Sequence, residues 1–557
     1  MLSSLTNLVH GLTRGPEERR VKRYLDEATC DSVCHDLGEQ LSPEPRSSNN
    51  HLRKTFDEYC VTVSPQQKYW NELCFRNYIR SRHGDREISN AGISILWRSF
   101  HFYAFHPFPR QVAGAPVDFE AFERAILLNV FQCDGFLGTC ELDWFWRKDA
   151  TFFRKASFAR IFRSIAVPDT ASWAESTLQQ SDDIVSSLND AMDALVMVVP
   201  HSANAVPTGE QLGAVAWRLF SEGHIFARGP VERGDMSILL SLLLRLRLRE
   251  RKWGLYYSLG HITETTSADK GIVKALVDSL AGNESEETME PEEILKAVDI
   301  MPNLLLRFQQ LWAVLFQPLG TDGGKQRKFV TTRESLITGT LSLFVPYIKT
   351  PNGYHERLED KQTRITLQEI PMAPFLRDMT MDSLDMQLSD ESSGYVMIFT
   401  ADATPSSPKK VVGAYFPSPA QMLLDHDTKD GAGRGNNSYH VVFELEPKFK
   451  VLRWLKYKVL LHDLIQTPEG LSLRETATER MPGAGCGPYQ LGNLLKHDPG
   501  LRVNPVTRTV TLTSGYGYYY MDVTACGSRS RSASDTTILE HPRMDVYKLN
   551  APQRHTD

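Results

Sequence analysis

Apolar residues recur with a helical period through the middle of the chain. In "DFEAFERAILLNVFQ" (118–132), Phe119, Phe122, Ile126 and Val130 are spaced three or four apart and share one helix face. Asp118 stands just before the first of them, where a carboxylate can accept from free backbone amides as an N-cap. The segments "FFRKASFARIFRSIAV" (152–167), "DDIVSSLNDAMDALVMVV" (182–199) and "EQLGAVAWRLF" (210–220) repeat the pattern. The run "EEILKAVDIMPNLLLRFQQLWAVLF" does so as well, and Pro302 is expected to break or kink it. The basic stretch "LLLRLRLRERKW" (242–253) is expected to be a core helix with solvated or paired arginines, although it could instead dock on an acidic partner or an anionic membrane surface. The acidic "GNESEETMEPEE" (282–293) is expected to be a solvated loop without apolar anchors.

After residue 340 the period changes to two. "YVMIFTA" (395–401) reads as a strand buried on both faces, and "KKVVGAYF" (409–416) as its return after the turn-rich "DATPSSP". In "SYHVVFELEPKFKVLRW" (438–454), Tyr439, Val441, Phe443 and Leu445 fall on one side, with His440, Glu444 and Glu446 on the other. Pro447 should interrupt that ladder at a bend or bulge. "TRTVTLT" (507–513) and "MDVYKL" (544–549) add further strands.

The expected fold class is α+β, with an N-terminal mostly helical region followed by a C-terminal antiparallel β-sandwich with helices. The expected divisions are 1–87, a polar and partly helical extension; 88–330, the helical region, as one or two small domains; 331–549, the sandwich; and 550–557, a tail.

With 557 residues, 41% of them hydrophobic, the chain can bury more than one core. A net charge of -6 gives no support for nucleic-acid binding. The eight cysteines are scattered and suit reduced thiols. The first residues lack a long apolar signal region, and Leu2 stands where N-myristoylation needs glycine. The longest apolar run, "MSILLSLLL" (236–244), is far below the ~20 residues needed to span a bilayer. A soluble, cytoplasmic protein is expected.

The ordered pair "GYVMIFTADATPSSPKKVVGAYFPSP" and "SYHVVFELEPKFKVLRW" resembles the TLDc domain. In that family a buried strand leads through a hairpin to a "FGAY"-like strand. An aromatic "F-x-F-x-L-x-P-x-F-x-V" strand follows, matched by Val441, Phe443, Leu445, Pro447, Phe449 and Val451. A glycine-rich segment, here "GAGCGPYQLGNLL", and a strand like "MDVYKL" complete the order over roughly residues 331–549. The long helical region ahead of it is similar to the longer fungal restriction-of-telomere-capping type. Family members usually carry an aspartate-bearing "L-W-L-D" after the glycines, whereas this chain has Leu491, Gly492 and Asn493.

The resemblance implies a non-enzymatic regulator with a role in oxidative-stress resistance. It implies binding to a peripheral subunit of the vacuolar-type proton ATPase, promoting that enzyme's disassembly or inhibition. Association with the vacuolar membrane would be peripheral and through that partner.

The chemistry written in the chain is sparse. Gly483, Gly485 and Gly487 alternate, but Pro488 takes the sixth position of a G-x-G-x-x-G match and no Gly-Lys-Ser/Thr is present. These glycines are expected to serve a tight backbone crossing. "DHDTKDGAGRGNN" (425–437) puts Lys429, Asp430 and Asn436 where a calcium loop needs a ligand, glycine and glutamate. "CDSVCH" (30–35) lacks zinc or haem spacing. No cofactor, metal or catalytic set is expected. The alternative is a redox or hydrolytic enzyme with a site at the sandwich rim near Cys486, His440 or Glu444, Cys486 being the candidate reactive thiol. Ser532 and Ser534 each follow an arginine by three residues and are candidate phosphorylation sites.

"GTDGGKQRK" (320–328) offers glycines and charges and nothing to bury, so it should be protease-sensitive. Limited trypsin digestion is expected to yield two stable fragments that meet there and stay associated. Immediate loss of the N-terminal fragment would mean that it does not fold as a unit.

Overall fold

The computed structural model describes residues 2–41, 47–64, 67–108, 115–131, 150–167, 182–200, 206–222, 230–253, 257–281, 287–289, 293, 296–318, 333–344, 366–370, 394–416, 441–454, 464–467, 470–473, 499–504, 507–515, 520–524 and 535–550. The described chain is α+β, with helices dominating up to Phe344 and antiparallel strands following.

The first elements are α1 (Leu2–Glu27), α2 (Cys30–Leu41), α3 (Ser47–Tyr59), the hairpin β1 (Val61–Ser64) and β2 (Gln67–Tyr69), α4 (Glu72–Arg82), α5 (Asn90–Ala104) and α6 (Phe119–Ile126). Asp118 caps α6 as its position predicts, its Oδ1 accepting from the Ala121 amide at 2.9 Å. A π-helical turn, Leu127–Phe131, extends α6. Then come α7 (Ala150–Ile165), α8 (Asp182–Val198), α9 (Gly209–Glu222), β3 (Val231–Glu232), α10 (Arg233–Arg245), β4 (Leu246–Trp253), β5 (Tyr257–Ile262), α11 (Ser267–Leu280) and β6 (Thr288–Met289). Pro302 separates α12 (Ala297–Ile300) from α13 (Leu304–Leu315), as expected, and α14 (Arg333–Phe344) closes the helical part.

Two expectations need correction. The basic segment 242–253 is not one helix: α10 stops at Arg245, and "LRLRERKW" becomes β4, paired antiparallel with β5. Its Leu-Arg-Leu-Arg alternation has the period of a strand, and arginines at every second position would not share a helix face. The acidic insert 282–293 does contain an apolar anchor. Met289 is fully buried, and β6 pairs with β3 through Val231↔Met289.

The polar-looking residues before 88 enter the same core as the later helices. Trp70 and Trp312 are both fully buried. Trp70 packs edge-on against Phe122 at 4.6 Å, and Tyr78 stacks on Phe316 at 5.0 Å. The Tyr78 hydroxyl donates to the Leu315 carbonyl at 2.8 Å, and the Arg82 guanidinium to the Gln317 carbonyl at 2.5 Å. These bonds fasten α4 to the end of α13, more than two hundred residues away.

The strands are β7 (Thr366–Ile370), β8 (Gly394–Ala401), β9 (Lys410–Phe416), β10 (Val441–Glu446), β11 (Lys450–Trp454), β12 (Leu464–Thr467), β13 (Gly470–Leu473), β14 (Gly500–Asn504), β15 (Thr509–Thr513), β16 (Tyr520–Asp522), β17 (Thr536–Glu540) and β18 (Arg543–Asn550). They form a seven-stranded sheet, β16-β11-β10-β9-β8-β18-β7, and a five-stranded sheet, β12-β13-β14-β15-β17. Pro447 sits in the turn between β10 and β11, where it removes no ladder donor. The last strand, β18, inserts beside β8, so the sheet is closed by chain distant in sequence.

Both faces of the central strands β8 to β11 are buried over residues 396–400, 411–415, 441–445 and 450–453. Val396, Ile398, Val441, Phe443, Leu445 and Val451 belong to the core shared with the helices. The alternate positions Met397, Phe399, Val442 and Leu452 are buried on the other side. Gly413 is required at its place in β9, because a Cβ there would lie 2.5 Å from the Phe443 ring and 2.5 Å from the Met397 carbonyl oxygen.

The helices meet this sheet through α11, which packs on β10, and through Phe344, whose ring lies 5.2 Å from Phe443 and 5.9 Å from Phe449. Arg453 on β11 is 3% exposed. It donates to the carbonyls of Asp299 at 2.9 Å, Ile300 at 3.3 Å and Phe344 at 3.3 Å. The residues it reaches are the ends of α12 and α14, whose last carbonyls have no partner within their own helix.

Arg453→Met should strand those acceptors and destabilise the protein by about 2–4 kcal/mol in urea unfolding. Arg453→Lys should fall between, since one ammonium lacks the planar fork. A change below about 0.5 kcal/mol for both would show that the arginine does not hold helices to sheet.

Candidate functional site

Glu444 is the sequence-nominated residue that the structure places in a defined polar cluster. The β10–β11 hairpin sets it directly opposite Lys450. Their side chains are 1% and 8% exposed, with Nζ 3.1 Å from Oε2. The Thr537 hydroxyl of β17 donates to the same carboxylate, 3.1 Å from Oε1 and 3.0 Å from Oε2. Lys450 also reaches Asp535 Oδ2 at 3.0 Å, and Lys448 meets that oxygen from the exposed side at 3.0 Å. Lys410 of β9 donates to the Ile538 carbonyl at 2.9 Å. A seam of charged and polar contacts therefore joins the seven-stranded sheet to β17 of the five-stranded sheet.

Burial pushes the Glu444 carboxyl above its ordinary range, while Lys450 and Thr537 pull it back. Asp535 is shifted the other way, held down by hydrogen bonds from Lys450 and Lys448. Both Glu444 oxygens already accept hydrogen bonds, and the nearest cation is shared with a second carboxylate. This geometry suits a tie between strands. It does not leave a carboxylate poised to take a proton from a substrate.

A second cluster lies in the helical core. Arg160 is fully buried, and its Nε and Nη2 contact Asp190 Oδ1 at 2.8 and 2.6 Å. Arg163 bonds the other oxygen of Asp190, and its Nη1 donates to Ser187 at 2.7 Å. Burial favours a neutral Asp190, but the two arginines overcome it and hold the carboxyl well below the usual range. Burial also pushes the nearby His106 imidazole down to about 3, so it stays neutral at physiological pH. This network pins α7 to α8.

The Cys30 and Cys34 thiols on α2 are directed at the carbonyls of Leu219 (3.4 Å) and His106 (3.7 Å). Gly483, Gly485, Cys486, Gly487, His440, Ser532 and Ser534 lie outside the described residues, as do segments 320–328 and 425–437. Among the described residues, no group of three or more His, Cys, Asp or Glu could hold a metal ion, and no helix is long and apolar enough to cross a membrane. No protein-family model, curated protein or solved structure matches the chain.

Removing one partner from a buried ion pair leaves the other uncompensated, so Lys450→Met should cost about 3–5 kcal/mol near neutral pH. The sign of the pH dependence follows from Glu444. Its folded pKa is raised, so its contribution favours folding at low pH and is lost as pH rises through that value. Without Lys450 the raised value climbs further. The penalty should therefore shrink as pH falls towards the ordinary 4.5, read from urea midpoints across pH. A penalty independent of pH would contradict a charged Glu444 at the seam.

Proposed function

We propose that this chain is a non-enzymatic regulator of the TLDc type, with its two sheets forming the layers of that family's β-sandwich. It binds a peripheral subunit of the vacuolar-type proton ATPase and favours disassembly or inhibition of that enzyme, in support of oxidative-stress resistance. It acts from the cytoplasm and reaches the vacuolar membrane through its partner.

The observation carrying this reading is strand order. The β8–β9 hairpin leads to the aromatic β10 and then β11 within one sheet, and the "MDVYKL" strand β18 returns beside β8. The resemblance has the same succession. The engagement of Glu444 in the inter-sheet seam favours a binding module over a carboxylate-dependent enzyme.

Affinity capture of the tagged full-length chain from cell extract tests the proposal. Peripheral subunits of the proton ATPase should be enriched at least tenfold over an untagged control. Reproducible capture of other partners with none of those subunits would overturn it.

A further inference from the structure

The tip of the β8–β9 hairpin presents hydroxyls, prolines and lysines in one short run. Residues 402–409 read "DATPSSPK", and Lys410 opens β9. The chain holds seven Ser-Pro or Thr-Pro pairs, and Ser407 is the member with a basic residue three positions on, Lys410. Thr404-Pro405, next to it, has Ser407 at that position.

The structure sets this run where another protein can reach it. Thr404, Pro405, Ser406 and Pro408 are exposed, and Ser407 is partly so. The Thr404 amide donates to the Ser407 carbonyl at 2.9 Å, and the Ser407 amide to the Thr404 carbonyl at 3.2 Å. The Ser407 hydroxyl donates to the Pro408 carbonyl at 3.4 Å, beyond the usual range for two oxygens. Opening the tip breaks these local bonds and leaves the ladder from Ala401↔Lys410 inward in place. A following proline biases Ser407 to extended backbone, the shape a peptide takes in an enzyme groove. Proline also has no N–H, so a groove without an acceptor after the reacting residue receives Pro408 without burying a bare donor.

We propose that Ser407 is a phosphoacceptor for a proline-directed protein kinase, with magnesium-bound ATP as phosphoryl donor and Lys410 as the basic residue that kinase reads. Ser407 Oγ forms the new bond to the γ-phosphorus. The bond from that phosphorus to the bridging oxygen breaks, ADP leaves, and the hydroxyl proton passes to a carboxylate base of the kinase. Lys409 and Lys410 have movable ammonium groups at the surface of the tip, now on Glu446 Oε1 at 2.8 Å and the Ile538 carbonyl at 2.9 Å. They follow the phosphoserine by two and three residues, so its charge of about −1.5 to −2 is met locally.

Incubation of the folded full-length chain with a cyclin-dependent kinase and labelled ATP, followed by mass-spectrometric mapping, tests the proposal. Phosphate should appear on Ser407 and approach one per chain at that position. Ser407→Ala should remove it from the hairpin peptide. Lys410→Ala should slow labelling of Ser407 at least fivefold, and Lys410→Arg should restore most of the rate. Partial unfolding of a variant would expose the tip and raise the rate, so a loss of rate reports recognition. Absence of phosphate on Ser407 of the folded chain, or an unchanged rate in Lys410→Ala, would overturn the assignment.

Discussion

The architecture depends on satisfying helix ends that are buried in protein. The last carbonyls of an α-helix lack partners within the helix, and burying them bare is costly. Here arginine side chains supply the donors repeatedly. Arg124 serves the carbonyl of Ala104 at the end of α5, Arg218 those of Leu25 and Ala28, and Arg453 those of Asp299, Ile300 and Phe344. One guanidinium presents five N–H donors in a plane, so a single side chain can close two helix ends at once. Each such bond also fixes where the helix stops relative to its neighbour. The orientation of the helices on the seven-stranded sheet follows from these closures together with the contacts of Phe344.

Apolar burial supplies the main driving force and the polar clusters supply position. A fully buried large side chain contributes ~1.5–3 kcal/mol, and the aromatic core around Trp70, Trp312 and Phe100 contains many of them. Buried ion pairs such as Arg160–Asp190 and Lys450–Glu444 roughly break even against apolar replacements, yet they tolerate only one geometry. They therefore select one arrangement of α7 on α8, and of β10–β11 against β17.

Much of the architecture was readable from local pattern. The Asp118 cap, the break at Pro302, the change of period after residue 340 and the alternation in β10 all rest on residues close in sequence. Segment 242–253 misled because a helical run passes straight into an alternating one, and the two periods overlap across Leu242–Leu246. Met289 was hidden by its acidic neighbours, since composition averages over a window while burial is decided residue by residue. Glu444 was nominated as a possible reactive group from its side of the strand. Its actual role depends on Lys450 across the hairpin and on Thr537, which lies ninety-three residues further on.

By itself the sequence determined which stretches become helix or strand, because capping, periodicity and proline act over a few residues. Only the tertiary structure decided which charged groups go inside. Arg160, Arg245, Glu444 and Arg453 look like surface residues in the chain. Each is buried because a distant carboxylate, lysine or backbone carbonyl meets it there, and the free energy of burying a charge is set by those partners.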